Sequence, residues 1–255
     1  MAGYRERYLF TLIEALRNLP EMLALWEAGS AATGTTDQYS DIDLMIVCSC
    51  GTDAAFELIE AVLPPITHRH VQLKGHELMR RIYFHDEAPK HFYADIGVLR
   101  EDSRETLKDL MQVERHGQPL VHFDEKGILR PQSVDKTEWR QRLESRVREL
   151  EEALPVYIIQ VLKALDRKLY TEAFAFFYHG LLRRLVELMG IRFRPYRYDF
   201  ELRYLERDFP LQEQELIRTY TIYAGPKDLR KKVDSVSEDI ARYIAAIDAD
   251  GILLT

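Results

Sequence analysis

The sequence predicts an α/β (α+β) protein in which an N-terminal mixed sheet flanked by helices precedes a C-terminal α-helical bundle. The chain has 255 residues, of which 46% are hydrophobic and 30% charged, and this suits one large soluble domain or two modest ones. Short apolar runs alternate with helical patterns up to about residue 130, and helical spacing dominates afterwards. We therefore predict two domains, residues 1–130 and 131–255.

The first domain is predicted to begin with a helix and to contain five strands. Helical spacing of apolar residues predicts a helix over 5–19, ended by Pro20, and another over 52–63, begun by a Thr52 or Asp53 cap. Short apolar or alternating runs predict strands at residues 22–28, 41–49, 66–73, 78–84 and 91–99. The stretch "HDEAPK" between the last two strands is a plausible hairpin connection.

Helices are predicted for the rest of the chain. Asp102 with Glu105 forms the pattern of a capping box for a helix over 103–113. From about Asp135 the sequence is periodic and charged, and Pro155 is expected to kink or break the helix. Further helices are expected from a Thr171 cap to a Gly190 stop, and near residues 211–223 and 226–247.

The charge of the chain argues against a polymeric nucleic acid as partner. The formal net charge is −7, and residues 1–130 hold 14 Lys and Arg against 21 Asp and Glu. A protein that binds DNA or RNA usually presents a basic field instead. No apolar stretch is long enough to cross a bilayer, and the first residues form an amphipathic helical pattern rather than a signal peptide. We therefore expect a cytoplasmic protein without a membrane partner.

Two aspartates open the second predicted strand, although strand interiors disfavour aspartate. Side chains two residues apart on a strand point the same way, so Asp41 and Asp43 share a face while Ile42 turns into the core. Two adjacent carboxylates repel each other, and a bound Mg²⁺ relieves the repulsion. Asp95, on the fifth predicted strand, adds a third carboxylate where the two strands lie side by side. Such a trio is the ligand set of a two-metal phosphoryl or nucleotidyl transfer site.

A loop of small and polar residues connects a Gly-Ser pair to the aspartates. Gly29 lets the backbone approach a phosphate closely, and Ser30 offers a hydroxyl and an N–H group. The stretch therefore predicts a cradle for a triphosphate next to the metal site. Thr33 and Ser40 in the same loop are further candidate nucleotide contacts.

The pattern "GS", ten residues and then "DID" resembles the signature of the DNA polymerase beta-like nucleotidyltransferase superfamily. That signature has a Gly-Ser or Gly-Gly pair, a spacer of similar length and two carboxylates one residue apart, with a third carboxylate on a later strand. The helical second half looks like that of small-molecule members such as aminoglycoside and lincosamide nucleotidyltransferases. In those enzymes the helical domain closes one side of the acceptor site.

The resemblance implies a role for each candidate residue. Asp41 and Asp43 would bind Mg²⁺, Gly29 and Ser30 would hold the phosphates of ATP or another NTP, and Asp95 would be a metal ligand or the general base. The implied reaction moves AMP onto the hydroxyl of a small-molecule acceptor, such as an aminoglycoside-like compound, and releases pyrophosphate. An acidic protein would attract a cationic acceptor of that kind.

Several alternatives stay open at the level of the sequence. Asp95 could instead be a sheet-edge residue paired with Arg80 or Arg81 across the hairpin. In the helical half, candidate phosphate or acceptor contacts compete with ordinary solvent-facing and packing roles; they are Lys163, Arg183, Arg184, Arg194, Arg197, Tyr178, Tyr196 and Tyr198.

The whole protein also has other interpretations. A protein-modifying nucleotidyltransferase would share the chemistry but need a flat docking surface, and a regulatory module would bind a nucleotide without turnover. Template-independent RNA tailing would require a basic track, which the composition does not suggest. The sequence leaves a homo-oligomer open.

Overall fold

Strands and helices alternate in the first half of the chain, as its apolar pattern predicts. The computed structural model describes residues 2–74, 77–252 and 254, and the chain divides into two units, Met1–Val134 and Asp135–Thr255. The elements of the first unit are α1 (Ala2–Arg17), β1 (Met22–Glu27), α2 (Gly29–Thr33), β2 (Ile42–Cys48), α3 (Thr52–Val62), β3 (Ile66–Lys74), β4 (Leu78–His85), β5 (Ala94–Arg100), α4 (Arg104–Leu110), α5 (Val113–His116) and β6 (Leu120–Asp124).

The strands form one mixed sheet in the order β3-β4-β5-β2-β1-β6. β2 and β5 pair in parallel, whereas the other neighbouring strands are antiparallel. The expected hairpin between β4 and β5 is confirmed. The parallel pair at the centre of the sheet places the beginnings of β2 and β5 at the same edge.

Apolar layers cover both faces of this sheet. On one face, α1 and α3 bury side chains such as Leu16 and Phe56 against β2 and β5, and Ile42 belongs to this core. Complete burial of such side chains stabilises the fold by about 1.5–3 kcal/mol each. On the other face, Trp26 and Met45 pack in a smaller cluster. The beginnings of β2 and β5 lie outside that second cluster.

The segment after β5 differs from its prediction. The predicted capping box is wrong, because the Arg100 guanidinium binds the Asp102 carboxylate with distances of 3.0 and 2.7 Å. The helix starts after Ser103, whose side chain makes no cap. The single helix predicted over 103–113 is two short helices, since Gln112 forms a bridge with Gln132 between them. β6 was not predicted, and α3 begins after Gly51 rather than at a side-chain cap.

The second unit is helical, which confirms the predicted fold class. Its elements are α6 (Lys136–Asp166), α7 (Tyr170–Phe176), a π-helix (Phe177–Leu182), α8 (Arg183–Phe193), a 3₁₀-helix (Pro195–Arg197), α9 (Leu205–Asp208), α10 (Leu211–Thr221) and α11 (Pro226–Asp250). Among the described residues, no helix combines the length and apolarity that a membrane crossing requires.

Two predicted helix boundaries in this unit are wrong, and the break considered at Pro155 is absent. α6 continues through Pro155, so the proline does not break the helix. The next helix begins at Tyr170 without a side-chain cap, not at a Thr171 cap. Gly190 is not a stop, since α8 runs to Phe193. A Cβ at Gly190 would lie 2.7 Å from the carbonyl oxygen of Tyr198, so the glycine permits close packing instead.

Candidate active site

Two of the candidate carboxylates lie side by side on one face of the sheet. The parallel register of β2 and β5 pairs Asp43 with Asp95. Neighbouring strands are about 4.8 Å apart, and residues paired in this way point to the same face. Asp43 is half-buried and Asp95 is 5% exposed. Both residues are the second of their strands, so the pair lies at the sheet edge where β2 and β5 begin.

Gly29 packs directly against the carboxylate of Asp43. Its φ is +57°, and a Cβ at this position would lie 2.8 Å from Cγ of Asp43. The Ala28 N–H also donates to the Asp43 carbonyl oxygen at 2.9 Å, which fixes the turn after β1 to β2. Only glycine combines this backbone conformation with so close an approach. The geometry therefore brings Gly29 of the Gly-Ser pair into contact with Asp43.

The hydroxyl of Thr33 is engaged within its own helix. Its Oγ1 lies 3.2 Å from the carbonyl oxygen of Gly29 and 2.8 Å from Oγ1 of Thr35. Thr33 is exposed, whereas Ser30 is half-buried in the first turn of α2. Ser30 is thus the hydroxyl that directly follows the packed glycine, and Thr33 stabilises the end of the helix.

Ser40 shapes the loop that leads into β2. Its hydroxyl donates to Oδ1 of Asp37 at 3.0 Å and accepts the Asp37 N–H at 2.9 Å. Asp41 follows immediately and is half-buried, one residue before β2 begins. The closed turn therefore fixes the backbone just before Asp41.

Arg80 binds both carboxylate oxygens of Asp95. Its Nε donates to Oδ1 at 2.9 Å, and its Nη2 pairs with Oδ2. The sequence left Arg80 and Arg81 open as partners, and Arg81 instead binds Glu60 and Asp53. The ion pair between Arg80 and Asp95 that the sequence left open is therefore present. Asp95 also lies beside Asp43.

The carboxylate oxygens of Asp41, Asp43 and Asp95 are the type of ligand that a hard cation prefers. The three carboxylates are not grouped around one metal position. Among residues 2–74, 77–252 and 254, no group of three or more His, Cys, Asp or Glu side chains could hold a metal ion. Asp41 and Asp43 offer the oxygen ligands that Mg²⁺ prefers, and Gly29 leaves no side chain in the way. Both Asp95 oxygens accept from Arg80, so a metal ion at Asp95 would compete with Arg80 for the remaining lone pairs of this carboxylate.

Sequence reasoning missed Glu27, the last residue of β1. Its side chain is 2% exposed and receives Nη2 of Arg5 at 2.5 Å and Nε2 of His122 at 2.9 Å. Burial alone would raise the pKa of Glu27, but the hydrogen bonds from His122 and Arg5 outweigh it and hold the pKa below its ordinary value. Glu27 thereby ties α1 and β6 to the strand that leads to Gly29. The detectable signal was a lone acid at the end of an apolar strand, two residues before Gly29.

Most candidate residues of the helical unit have structural roles. The Arg194 guanidinium is buried over the ring of Phe209, with its carbon 4.6 Å from the ring centroid. The rings of Tyr196 and Tyr198 pack on Trp139 at 6.3 Å.

The remaining candidates lie closer to the surface. Lys163 is exposed, Arg197 lies 3.6 Å from Asp208, and the ring of Tyr178 packs against His179 at 5.2 Å. Arg183 and Arg184 line a charged cavity within the helical unit.

Comparison with known proteins finds a family match within the N-terminal unit. Residues 11–115 match the family described as the nucleotidyltransferase domain. Similar solved structures include spectinomycin adenyltransferase AAD(9) from Enterococcus faecialis, with ATP and spectinomycin, at 10% identity over 92% of this chain and 99% of that chain (TM-score 0.38). JHP933 from Helicobacter pylori matches at 10% identity over 97% of each chain (TM-score 0.29). No curated protein matches the chain.

The matched range contains the complete candidate site from Gly29 to Asp95. It also includes Arg80, which holds Asp95. Through residues 11–115 the chain is therefore similar to the nucleotidyltransferase domain family.

Proposed function

We propose that this protein transfers AMP from ATP to a hydroxyl group of a small molecule, in a Mg²⁺-dependent reaction that releases pyrophosphate. One observation carries the proposal: in a nucleotidyltransferase domain, Asp43 packs against Gly29 and lies in register with Asp95. This places acidic oxygen ligands next to a backbone that can approach phosphate.

The chemistry requires a phosphate holder, a charge stabiliser and a proton acceptor. The acceptor oxygen forms a bond to the α-phosphorus of ATP, and the bond from that phosphorus to the bridging oxygen breaks. Pyrophosphate leaves with the electron pair, and the acceptor proton passes to a base. Mg²⁺ held by Asp41 and Asp43 would neutralise the charge that develops on the phosphate oxygens.

The turn after β1 would hold the phosphates. Gly29 presents its backbone without a side chain, and Ser30 adds a hydroxyl directly after it. Thr33 and Ser40 would contribute by fixing the two ends of this segment, because their hydroxyls bond within it.

Asp95 has two candidate roles, third metal ligand and proton acceptor. Arg80 keeps its carboxylate next to Asp43 in both cases. The roles differ in a measurable way, because Asp95→Asn would weaken Mg²⁺ binding only if Asp95 is a ligand. If it is the base, the variant would keep its Mg²⁺ affinity and lose turnover.

The acceptor is proposed to be cationic, such as an aminosugar, and to bind to the helical domain. The proposal is supported by the acidic balance of residues 1–130, with 14 Lys and Arg against 21 Asp and Glu. An acidic field raises the local concentration of a cation and its rate of association. High salt should therefore raise KM for the acceptor more than KM for ATP.

The test is pyrophosphate release from ATP with a panel of aminosugar, neutral-sugar and protein acceptors. Asp43→Asn should lower turnover by at least about 100-fold, because it removes a proposed metal ligand. Asp109→Asn, an exposed aspartate on α4, is the matched control and should keep wild-type turnover. Turnover only with a protein acceptor would favour the protein-modifying alternative. ATP binding without turnover for any acceptor class would favour a regulatory module.

A further inference from the structure

The helical unit contains a charged cavity of about 280 Å³. Three arginines and three carboxylates line it: Arg146, Arg183, Arg184, Glu187, Asp199 and Glu201. A smaller cavity of about 100 Å³ shares Arg183 and Glu201 with the first. These two residues form an ion pair at 2.5 Å, so one salt bridge borders both cavities.

A π-helix supplies part of the wall. Residues Phe177–Leu182 form this wider turn between α7 and α8, and Tyr178 and His179 line the smaller cavity. Short π-helical segments occur mostly inside α-helices and often at functional sites. Gly180 lies at the point of closest packing, since a Cβ there would be 3.0 Å from Cδ1 of Tyr157.

The backbone of Glu201 is held in an unfavourable conformation. Its φ is +52°, in the left-handed region that glycine occupies more readily. The buried guanidinium of Arg194 donates to the carbonyl oxygens of Glu201 and Arg203, and this fixes the segment. Left-handed residues of this kind persist when their surroundings over-determine them, and they cluster at ligand sites. A glycine in place of Glu201 would therefore relieve the backbone strain, but it would remove the carboxylate.

The guanidinium of Arg184 makes hydrogen bonds through Nη1 and Nη2 but, within the described part of the chain, not through Nε. Its Nη1 donates to the carbonyl oxygen of His179 and its Nη2 to the hydroxyl of Tyr157, both at 2.6 Å. The guanidinium also stacks on the Tyr157 ring, 4.0 Å from the centroid. Its buried Nε finds no hydrogen-bond partner among the described residues. A buried unpaired donor is unfavourable, and an anionic group would satisfy it.

We propose that this cavity binds a small zwitterion, a free α-amino acid with one carboxylate and one ammonium group. The wall charges balance at three to three, so a ligand of net charge would leave one charge uncompensated. The Arg183–Glu201 pair is about half exposed, at 50% and 54%, and exposed pairs of this kind open at little cost. The ligand carboxylate then binds Arg183 and Arg184, and its ammonium group binds Glu201. Arg146 stays paired with Glu187, its partner at 2.7 Å.

The test uses the full chain and each of the twenty L-α-amino acids, without ATP. At least one amino acid should raise the unfolding temperature in a saturable way, and its carboxamide and N-acetyl derivatives should not. The shift should be lost in Arg183→Gln and Glu201→Gln. Arg230→Gln breaks a comparable exposed pair with Asp166 in the same unit and should keep the shift. Absence of a shift for all twenty amino acids, or an equal shift with the derivatives, would overturn the proposal.

A second variant separates ligand binding from folding. Glu201→Gly relieves the left-handed backbone and removes the carboxylate. Its unfolding temperature should be no lower than that of the wild type, and the amino-acid shift should disappear. A glycine variant that still responds to the amino acid would refute the role of Glu201. None of these measurements depends on nucleotidyl transfer, so the two proposals fail independently.

Discussion

The close packing of Gly29 on Asp43 makes Gly29→Ala the sharpest test of the candidate site. At φ +57° an alanine adopts the left-handed conformation, which is unfavourable by about 1–2 kcal/mol. The new methyl group would also lie 2.8 Å from Cγ of Asp43, and forcing extra atoms into a packed site costs about 1–3 kcal/mol. We therefore expect the free energy of unfolding to fall by roughly 2–5 kcal/mol. Turnover should fall about 100-fold, because the carboxylate must move by an ångström or so.

Gly34→Ala provides the matched control. Gly34 has a φ of +66° at the end of the same short helix, but a Cβ there would meet no atom within 4 Å. This variant carries the backbone cost of about 1–2 kcal/mol alone and should keep its turnover. Urea unfolding followed by circular dichroism gives the difference in stability, and pyrophosphate release gives the activity. If the two variants lose equal stability and both keep activity, then Gly29 does not support Asp43 as inferred.

Three further predictions concern charged or ionisable groups. Arg80→Gln leaves Asp95 without its ion-pair partner, so added Mg²⁺ should raise the unfolding temperature of this variant more than that of the wild type. Equal shifts would contradict a competition between Arg80 and Mg²⁺ for Asp95. Burial would raise the pKa of Glu27 above its ordinary value of 4.5, but the hydrogen bonds from His122 and Arg5 outweigh burial and lower the pKa. Glu27→Gln should therefore be destabilised at pH 7, and urea unfolding should show the deficit shrinking as pH falls below 4.5 through the lowered pKa. Burial raises the pKa of Cys48 to about 12, so iodoacetamide at pH 8 should leave it unmodified in the native protein, as mass spectrometry can check.

Local sequence patterns were reliable where packing agrees with them. Apolar runs bounded by Pro20 and Gly29 located β1 to the residue at its start, and Met22 is buried there. They failed where a distant partner decides the local conformation. Gly190 looks like a helix stop, but the backbone at Tyr198 approaches it and the helix continues. A glycine needed for tertiary contact cannot be told from a terminating glycine in the sequence alone.

In the candidate site, too, some features follow from the local sequence and others depend on contacts between distant segments. The spacing of Asp41 and Asp43 predicts a shared side because strand geometry is local. The register of Asp43 with Asp95 depends on which strands pair, and only the fold determines this. Glu27 was missed for a related reason, since its partners come from α1 and β6, far away in the sequence.

The ion pair of Arg80 with Asp95 has a role in the proposed chemistry even though it occupies a proposed ligand. Two carboxylates about 5 Å apart repel by about 3 kcal/mol at an effective dielectric constant near 20. Arg80 relieves this repulsion while no cation is bound, and its charge leaves the set with Asp41, Asp43 and Asp95 at −2. One Mg²⁺ balances that charge, so a second ion needs the phosphates of the nucleotide as its counter-charge. The arginine therefore allows Asp43 and Asp95 to remain side by side in the absence of metal, and in the proposed reaction the nucleotide itself would complete the site.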